Sequence, residues 1–230
     1  MTDLPERTLS QFVEPITATA SAHRGQRMRN FTIFLVDDDQ DVLQFLTTFV
    51  RAHGYRSRAY SLPRRFLDEH DPSVPGCVLL DLSMPAMNGL DVQREFVKRG
   101  IERPIIFLSG FGTVSASVEA MKVGAVDFLP KPVKDDELLN AIRVAEKRET
   151  IRLQRDAERS AITEVIGQLT PREREVMQLV VQGHMNKDIA PLIETTEKTV
   201  KVHRGRMMRK MGVRHVAELV RMVNKVLSET

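Results

Sequence analysis

The feature that most constrains the fold is a series of five short apolar runs separated by amphipathic segments. FTIFLV and CVLL are apolar at nearly every position, whereas the segment between Val42 and Val50 repeats its apolar residues at helical spacing. Strands that are apolar throughout and alternate with helices are typical of a parallel sheet covered by helices on both faces. The predicted strands cover residues 31–36, 55–61, 77–80, 104–109 and 126–129.

Polar side chains follow the carboxyl ends of four of these strands. Asp37 and Asp38 follow the first strand, Asp81 the third, Ser109 ends the fourth, and Lys131 comes shortly after the fifth. Ligands of such sheets bind outside the carboxyl ends of the strands. In the flavodoxin-like strand order 2-1-3-4-5, which we predict here, these side chains would meet in one crevice. A single acid at a strand end is usually a turn residue, but the converging set predicts a functional site.

The residue types of this crevice suit phosphoryl chemistry on a carboxylate. Oxygen ligands without nearby His or Cys favour Mg²⁺, and a carboxylate can accept a phosphoryl group as a nucleophile. Asp81 is the predicted acceptor because it stands alone at the middle strand end. Asp37 and Asp38 are the predicted metal ligands, and Lys131 and Ser109 would contact phosphoryl oxygens.

Positive charge is concentrated near the C-terminus. Residues 31–134 hold twelve Lys/Arg and thirteen Asp/Glu, whereas residues 164–230 hold twelve Lys/Arg and eight Asp/Glu. Residues 198–211 contain six basic residues and no acid. This asymmetry favours a nucleic-acid-binding module attached to a neutral domain, although charge alone is equally compatible with a solvated helix face.

The C-terminal segment has the outline of a helix-turn-helix. Thr170 and Glu173 predict a capping box around Pro171, a short helix is predicted around 187–193, and Thr196 can cap a basic helix that ends before Gly212. A basic helix fits the major groove of B-DNA. The residues predicted to pack inward are Val200, Met207, Met208 and Met211, and those predicted to face outward are Lys201, Arg204 and Lys210.

Residues 31–145 resemble the receiver domain of two-component response regulators. The resemblance rests on VDDD, LLDLSMPAMNGL, FLSGFG and GAVDFLPKP, which occur in the family's order. It implies that Asp81 is phosphorylated by a sensor histidine kinase, that Asp37, Asp38, Asp81 and the backbone carbonyl of Ser83 bind Mg²⁺, and that Lys131 binds phosphate. It also implies that Ser109 and Phe128 form a switch and that the Lys131–Pro132 bond is a candidate cis peptide. Taken alone, Phe128 could be a core residue and Ser109 a turn residue.

Residues 165–228 resemble the LuxR-type DNA-binding domain of FixJ/NarL response regulators. The motifs are LTPREREV, NKDIA and TVKVHRGRMMRKMGV. The resemblance implies that Lys201 and Val202 reach base edges. It further implies that Thr199, Arg204, Arg206 and the backbone near Asn186 and Lys187 hold phosphates, and that Thr196 also belongs to the DNA-binding surface. Pro191 and Thr195 depart from the family pattern and could loosen the turn, and Gly205 replaces a lysine with which some relatives contact DNA.

The predicted organisation is a disordered leader (1–30), a receiver domain (31–145), a helical linker (146–164) and a DNA-binding domain (165–230). The linker could pair with another chain or be a solvated spacer. No apolar stretch approaches the roughly 18 residues of a membrane span, and the single cysteine excludes an internal disulfide. We therefore expect a cytoplasmic protein.

The predicted function is that of a transcription factor, not an enzyme. Phosphorylation would promote a homodimer that binds double-stranded DNA and acts on RNA polymerase. One alternative is a Mg²⁺-dependent phosphotransfer enzyme, but no substrate-binding segment is evident and the DNA-binding segment would be unexplained. The other alternative is a phosphate-independent docking domain, which would not need Asp81, Ser109 and Lys131 together.

Overall fold

The structure is a computed structural model that describes residues 29–110 and 114–227. The described residues form two compact units, which are divided between Ile151 and Arg152. The predicted leader falls almost entirely on residues 1–28, which lie outside the described residues. Each unit is described by itself below.

The first unit contains the predicted five-stranded parallel sheet. The strands pair in the order β2-β1-β3-β4-β5, so the predicted topology is confirmed. The last helix begins at Asp135, as predicted. The elements are β1 (Thr32–Val36), α1 (Gln40–Ala52), β2 (Arg56–Tyr60), α2 (Pro63–Glu69), β3 (Gly76–Asp81), α3 (Gly89–Lys98), β4 (Ile105–Ser109), α4 (Val114–Lys122), β5 (Asp127–Pro130) and α5 (Asp135–Gly167).

The apolar strands of the sheet are buried on both faces because helices cover both. In β1, Ile33 and Leu35 pack with residues of α1 and α5, whereas Phe34 and Val36 pack with residues of α2, α3 and α4. Local signals fix the helix starts: the Asp39 carboxylate accepts hydrogen bonds from the backbone of the first turn of α1. The two-sided core explains why the strands are apolar throughout rather than alternating.

An aromatic cluster on one face of the sheet encloses a histidine. The ring of His70 lies 5.1 Å from Phe34, 5.1 Å from Phe66 and 5.0 Å from Phe96 between centroids. Neither of its ring nitrogens has a hydrogen-bond partner among the described residues. Burial, followed by the positive charge of Arg103, lowers the pKa of His70 to about 4. His70 is therefore neutral in the folded protein near neutral pH.

This histidine predicts a pH dependence of stability. Since the pKa of His70 is lower in the folded state than the ordinary 6.5, its contribution is fully present above pH 6.5 and is lost as the pH falls toward about 4. Over that pH range, the free energy of unfolding should fall less in His70→Phe than in the wild type. The expected difference is about 2 kcal/mol after allowance for the partial exposure of His70. Urea unfolding at several pH values measures this, with His215→Gln as an exposed-histidine control. An unchanged pH dependence in His70→Phe would contradict the prediction.

The second unit is helical. After the C-terminal part of α5 it contains α6 (Pro171–Val181), α7 (Asn186–Leu192), α8 (Glu197–Lys210) and α9 (Val216–Leu227), around a core that includes Val176, Ile189, Val200, Met207 and Leu219. The predicted capping box is present, with Thr170 and Glu173 bonded reciprocally. Helix α5 is 33 residues long and includes the predicted linker. The exact domain boundaries stay a prediction.

The turn between α7 and α8 is intact in spite of Pro191. That proline is the sixth of seven residues in α7, and the turn after it is closed by a hydrogen bond from Thr195 N to Ala190 O at 2.9 Å. The strained residue of this turn is Glu194, whose φ of 51° lies in the left-handed region. Such a conformation costs a non-glycine residue about 1–2 kcal/mol. The strained backbone of this turn is thus at Glu194, a residue that the sequence analysis did not single out.

Candidate functional site

Three carboxylates meet at the carboxyl end of the sheet. β1 and β3 pair with Val36 opposite Leu80, so the next residues, Asp37 and Asp81, are neighbours. Asp37 is 1% exposed and Asp81 is 3% exposed. Ligand oxygens of Asp37, Asp38 and Asp81 all lie within 4.8 Å of one another. The strand order therefore brings together the three acids that the sequence places far apart.

Lys131 joins two of these acids. Its ammonium lies 2.6 Å from Asp37 Oδ2 and 2.6 Å from Asp81 Oδ1. The second oxygen of Asp37 accepts a hydrogen bond from Asp39 N at 3.0 Å, and that of Asp81 accepts one from Ser83 N at 2.8 Å. Burial raises the pKa of Asp37, an effect that the positive charge of Lys131 opposes. The site thus concentrates buried negative charge that requires a cation.

Ser109 and Phe128 lie on the adjacent strands. Ser109 ends β4, one residue beyond the partner of Asp81, and is 1% exposed. Its hydroxyl has no hydrogen-bond partner among the described residues. Phe128 is half-buried in β5, and its ring centroid lies 6.1 Å from that of Phe107. The Lys131–Pro132 peptide is cis, as predicted.

A glycine that the sequence reasoning missed allows α3 to start against the Asp81 backbone. A Cβ atom on Gly89 would lie 2.5 Å from Asp81 O and 2.9 Å from the ring of Phe107. The backbone N–H of Gly89 donates to Leu82 O at 3.0 Å. Only a residue without a side chain fits here. The signal in the sequence was the MNGL segment, which we used only as part of a motif.

The chemistry of the acidic cluster fits Mg²⁺. Three carboxylates within reach of one another, with no His or Cys among them, form the hard oxygen ligand set that Mg²⁺ prefers. Asp37, Asp38 and Asp81 would hold the ion. The unpartnered hydroxyl of Ser109 is a buried donor that a phosphoryl oxygen would satisfy.

In the second unit, α8 exposes the predicted base-contacting residues. Lys201 and Val202 are exposed, with 46% of Val202 accessible, and so is Arg206, which was predicted to contact a phosphate. Arg204 is half-buried, and its Nη1 donates to Asn186 Oδ1 at 2.8 Å. This contact, which the sequence did not predict, holds a residue of α8 against the start of α7.

The remaining predicted residues of this surface have local roles. Thr196 caps α8 through a hydrogen bond from Thr199 N at 3.2 Å, and the two threonine hydroxyls lie 2.9 Å apart. Lys187 and Gly205 are exposed. Lys210, predicted to face outward, donates to Glu173 Oε2 at 2.6 Å and to Gln168 O at 3.1 Å. This ion pair lowers the pKa of Glu173 to about 2, so Lys210 stabilises the domain.

Comparison with known proteins identifies both units. The family model of the response regulator receiver domain matches residues 33–143, and that of the bacterial regulatory proteins of the luxR family matches residues 167–223. The response regulator protein TmoT of Ectopseudomonas mendocina is 40% identical over 194 residues, which span 84% of this chain and 88% of TmoT. The chain belongs to the FixJ/NarL-type response regulators.

Further relatives of this response regulator agree with that assignment. The transcriptional regulatory protein FixJ of Azorhizobium caulinodans is 35% identical over 190 residues, covering 83% of this chain and 90% of FixJ. The solved structure of response regulator StyR is similar with a TM-score of 0.72 and 37% identity, covering 85% of this chain and 98% of that structure. A regulator built from these two domains is a phosphorylation-dependent regulator of transcription. Across residues 29–110 and 114–227, none of the helices has the length and apolar character needed to cross a bilayer.

Proposed function

We propose that Asp81 is the phosphoryl acceptor of this response regulator. The observation that carries the proposal is the position of its carboxylate: it is buried, bonded to Lys131, and within ligand distance of Asp37 and Asp38. A carboxylate oxygen of Asp81 would attack the phosphorus of a phosphohistidine in a sensor kinase. The P–N bond would break, its electrons would remain on the imidazole nitrogen, and that nitrogen would take a proton from solvent.

The neighbouring side chains would stabilise the transferred group. Mg²⁺, held by Asp37, Asp38, Asp81 and the Ser83 carbonyl, supplies positive charge to the carboxylates and the phosphoryl oxygens when bound. Lys131, which lies on Asp81 Oδ1 in this structure, would pair with one phosphoryl oxygen. The Ser109 hydroxyl would donate a hydrogen bond to another phosphoryl oxygen. Its burial without a partner among the described residues supports a role as a switch residue. Phe128, on the next strand, would move with it.

The phosphorylated receiver would form a homodimer through α4, β5 and α5. Val118 and Met121 on α4 are exposed apolar residues, 45% and 46% accessible, which supports this face as an interface. A dimer would present two α8 helices to DNA half-sites about 34 Å apart. Lys201 and Val202 would contact bases, and Arg204 and Arg206 would contact phosphates. The complex would then act on RNA polymerase at a promoter.

Phosphoryl transfer to Asp81 is tested by incubating the protein with Mg²⁺ and acetyl phosphate. Intact mass and elution volume are measured for the wild type, for Asp81→Asn, and for Asp68→Asn as a control at an exposed acid. The wild type and Asp68→Asn should gain one phosphoryl group and elute as dimers, and Asp81→Asn should do neither.

The same measurements separate this proposal from the two alternatives. Equal uptake by Asp81→Asn would exclude Asp81 as the acceptor. Phosphorylation without a shift in elution would retain the acceptor and exclude the dimer. Continuous release of phosphate at many turnovers per minute would favour a phosphotransfer enzyme, and no uptake at all would favour a docking domain.

A further inference from the structure

One edge of the receiver sheet carries five exposed arginines. They lie at the end of α1, along β2 and at the start of α2, and we call them the β2 arginine strip: Arg51, Arg56, Arg58, Arg64 and Arg65. No Asp, Glu or Lys occurs between Asp41 and Asp68. The receiver as a whole is close to neutral, so this edge is a local concentration of positive charge.

Among the described residues, one member of the strip forms an ion pair. Arg65 forms an ion pair with Glu69 at 2.7 Å, four residues along the same helix. Arg51 donates to the hydroxyl of Ser57 at 3.0 Å, and Arg56 reaches the Asn30 amide oxygen only at 3.5 Å. These acceptors are neutral, so they leave the charges of Arg51 and Arg56 in place. Arg58 lies near an acid: after the hydrogen bonds from Ser73, its positive charge contributes to lowering the pKa of Asp71. Arg56 and Arg58 project from the same side of β2, about 6–7 Å apart.

Protection of a sheet edge is the simplest explanation of charged residues on β2. β2 is the outer strand of the sheet, and charged side chains on edge strands prevent unwanted strand pairing. Edge protection needs charge of either sign, however, and is most often provided by lysine. It does not explain why the whole segment contains arginine alone and excludes acids. The planar guanidinium favours instead a ligand with carboxylate or phosphate oxygens.

DNA is an anionic partner that another domain of the same chain would bind. The LuxR-type domain is tethered to the receiver by the same polypeptide, so DNA held by the former is at high effective concentration for the latter. Contacts from arginine to the phosphate backbone need no particular base sequence. We propose that the β2 arginine strip is a second DNA-contacting surface, which binds phosphates outside the segment held by α8. The inference rests on the proposed DNA binding by the second domain.

The test compares matched triple variants of the full-length protein on heterologous duplex DNA. Arg56→Gln/Arg58→Gln/Arg64→Gln removes strip residues that form no ion pair within residues 29–110 and 114–227. Lys98→Gln/Arg143→Gln/Lys147→Gln removes equal charge from exposed positions on α3 and α5. Fluorescence anisotropy measures the affinity for duplexes of about 15 and about 60 base pairs between about 50 and 200 mM salt. Lys201→Gln/Arg206→Gln reports on α8.

On the longer duplex, the strip variant should lower the slope of log affinity against log salt by about two to three, as expected for the loss of three phosphate contacts. The control triple should keep the wild-type slope, and on the short duplex both should match the wild type. Equal slopes for the strip and control triples on the longer duplex would overturn the inference. Edge protection or an acidic protein partner would then explain the arginines of the strip. If Lys201→Gln/Arg206→Gln binds DNA as tightly as the wild type does, the result contradicts the proposed function instead.

Discussion

Glu149→Ala is expected to destabilise the receiver domain by about 3–5 kcal/mol, because it leaves a buried guanidinium without its counter-charge. Arg103 Nη1 lies 2.6 Å from Glu149 Oε1, and both side chains are 1% exposed. Arg103 also donates to the carbonyls of Gly76, Asp71 and Pro72 at 3.1–3.2 Å. One side chain therefore links α5 to the loop before β3. Loss of 3–5 kcal/mol is a large part of the stability of an ordinary domain.

The measurement is urea unfolding of the full chain, following the receiver transition. Glu69→Ala is the matched control, since it removes the same group from the exposed Arg65–Glu69 pair and should cost less than about 1 kcal/mol. Arg103→Leu/Glu149→Leu should cost less than the sum of the two single changes, because it leaves no unpaired buried charge. A loss in Glu149→Ala no greater than in Glu69→Ala would show that the pair is not buried in solution.

This ion pair marks a limit of what the sequence could predict. The partners are 46 residues apart, and each stands in a charged context that reads as protein surface. Glu149 lies in the segment 146–164, for which a solvated spacer was an equal alternative. Polar contacts of this kind depend on which elements the fold brings together. Charge patterns along the chain carry no information on that point.

The acidic cluster could be predicted because its geometry follows from topology. Apolar runs and helical periodicity are local signals, and they fix a parallel sheet whose strand ends lie at one edge. Asp37, Asp81 and Lys131 then need only to stand at strand ends to meet. The turn around Glu194 is the opposite case. Its left-handed conformation arises from how α7 and α8 pack, and a glutamate gives no signal of it.

The helix-turn-helix shows both situations within one domain. The capping residues Thr170 and Thr196 were predictable, since a cap is a contact between residues three positions apart. The contacts of Arg204 with Asn186 and of Lys210 with Glu173 span 18 and 37 residues. Helical periodicity had assigned both Arg204 and Lys210 to the outward face of α8. Periodicity gives the direction of a side chain but not the acceptor that it reaches.

Lys131→Met is expected to act on phosphoryl transfer and on Mg²⁺ binding in opposite directions. Lys131 lies 2.6 Å from Asp37 Oδ2 and 2.6 Å from Asp81 Oδ1, so its ammonium occupies oxygens that would also face the metal. Removing a preorganised cation from a site of developing negative charge lowers the rate by about 10²–10³-fold. Phosphorylation of Asp81 by acetyl phosphate should slow by that factor. Mg²⁺ should bind several-fold more tightly, because one competing positive charge is gone.

Both effects can be measured on one set of proteins. Intact mass against time gives the phosphorylation rate, and calorimetric titration gives the Mg²⁺ affinity. Lys134→Met is the control, since Lys134 is exposed just before α5 and, among the described residues, pairs with Glu137 at 3.0 Å. Without Mg²⁺, Lys131→Met should also melt at a lower temperature, because two buried carboxylates lose their partner, and added Mg²⁺ should restore part of the loss. Weaker Mg²⁺ binding in Lys131→Met would mean that the lysine organises the carboxylates for the metal rather than competing with it.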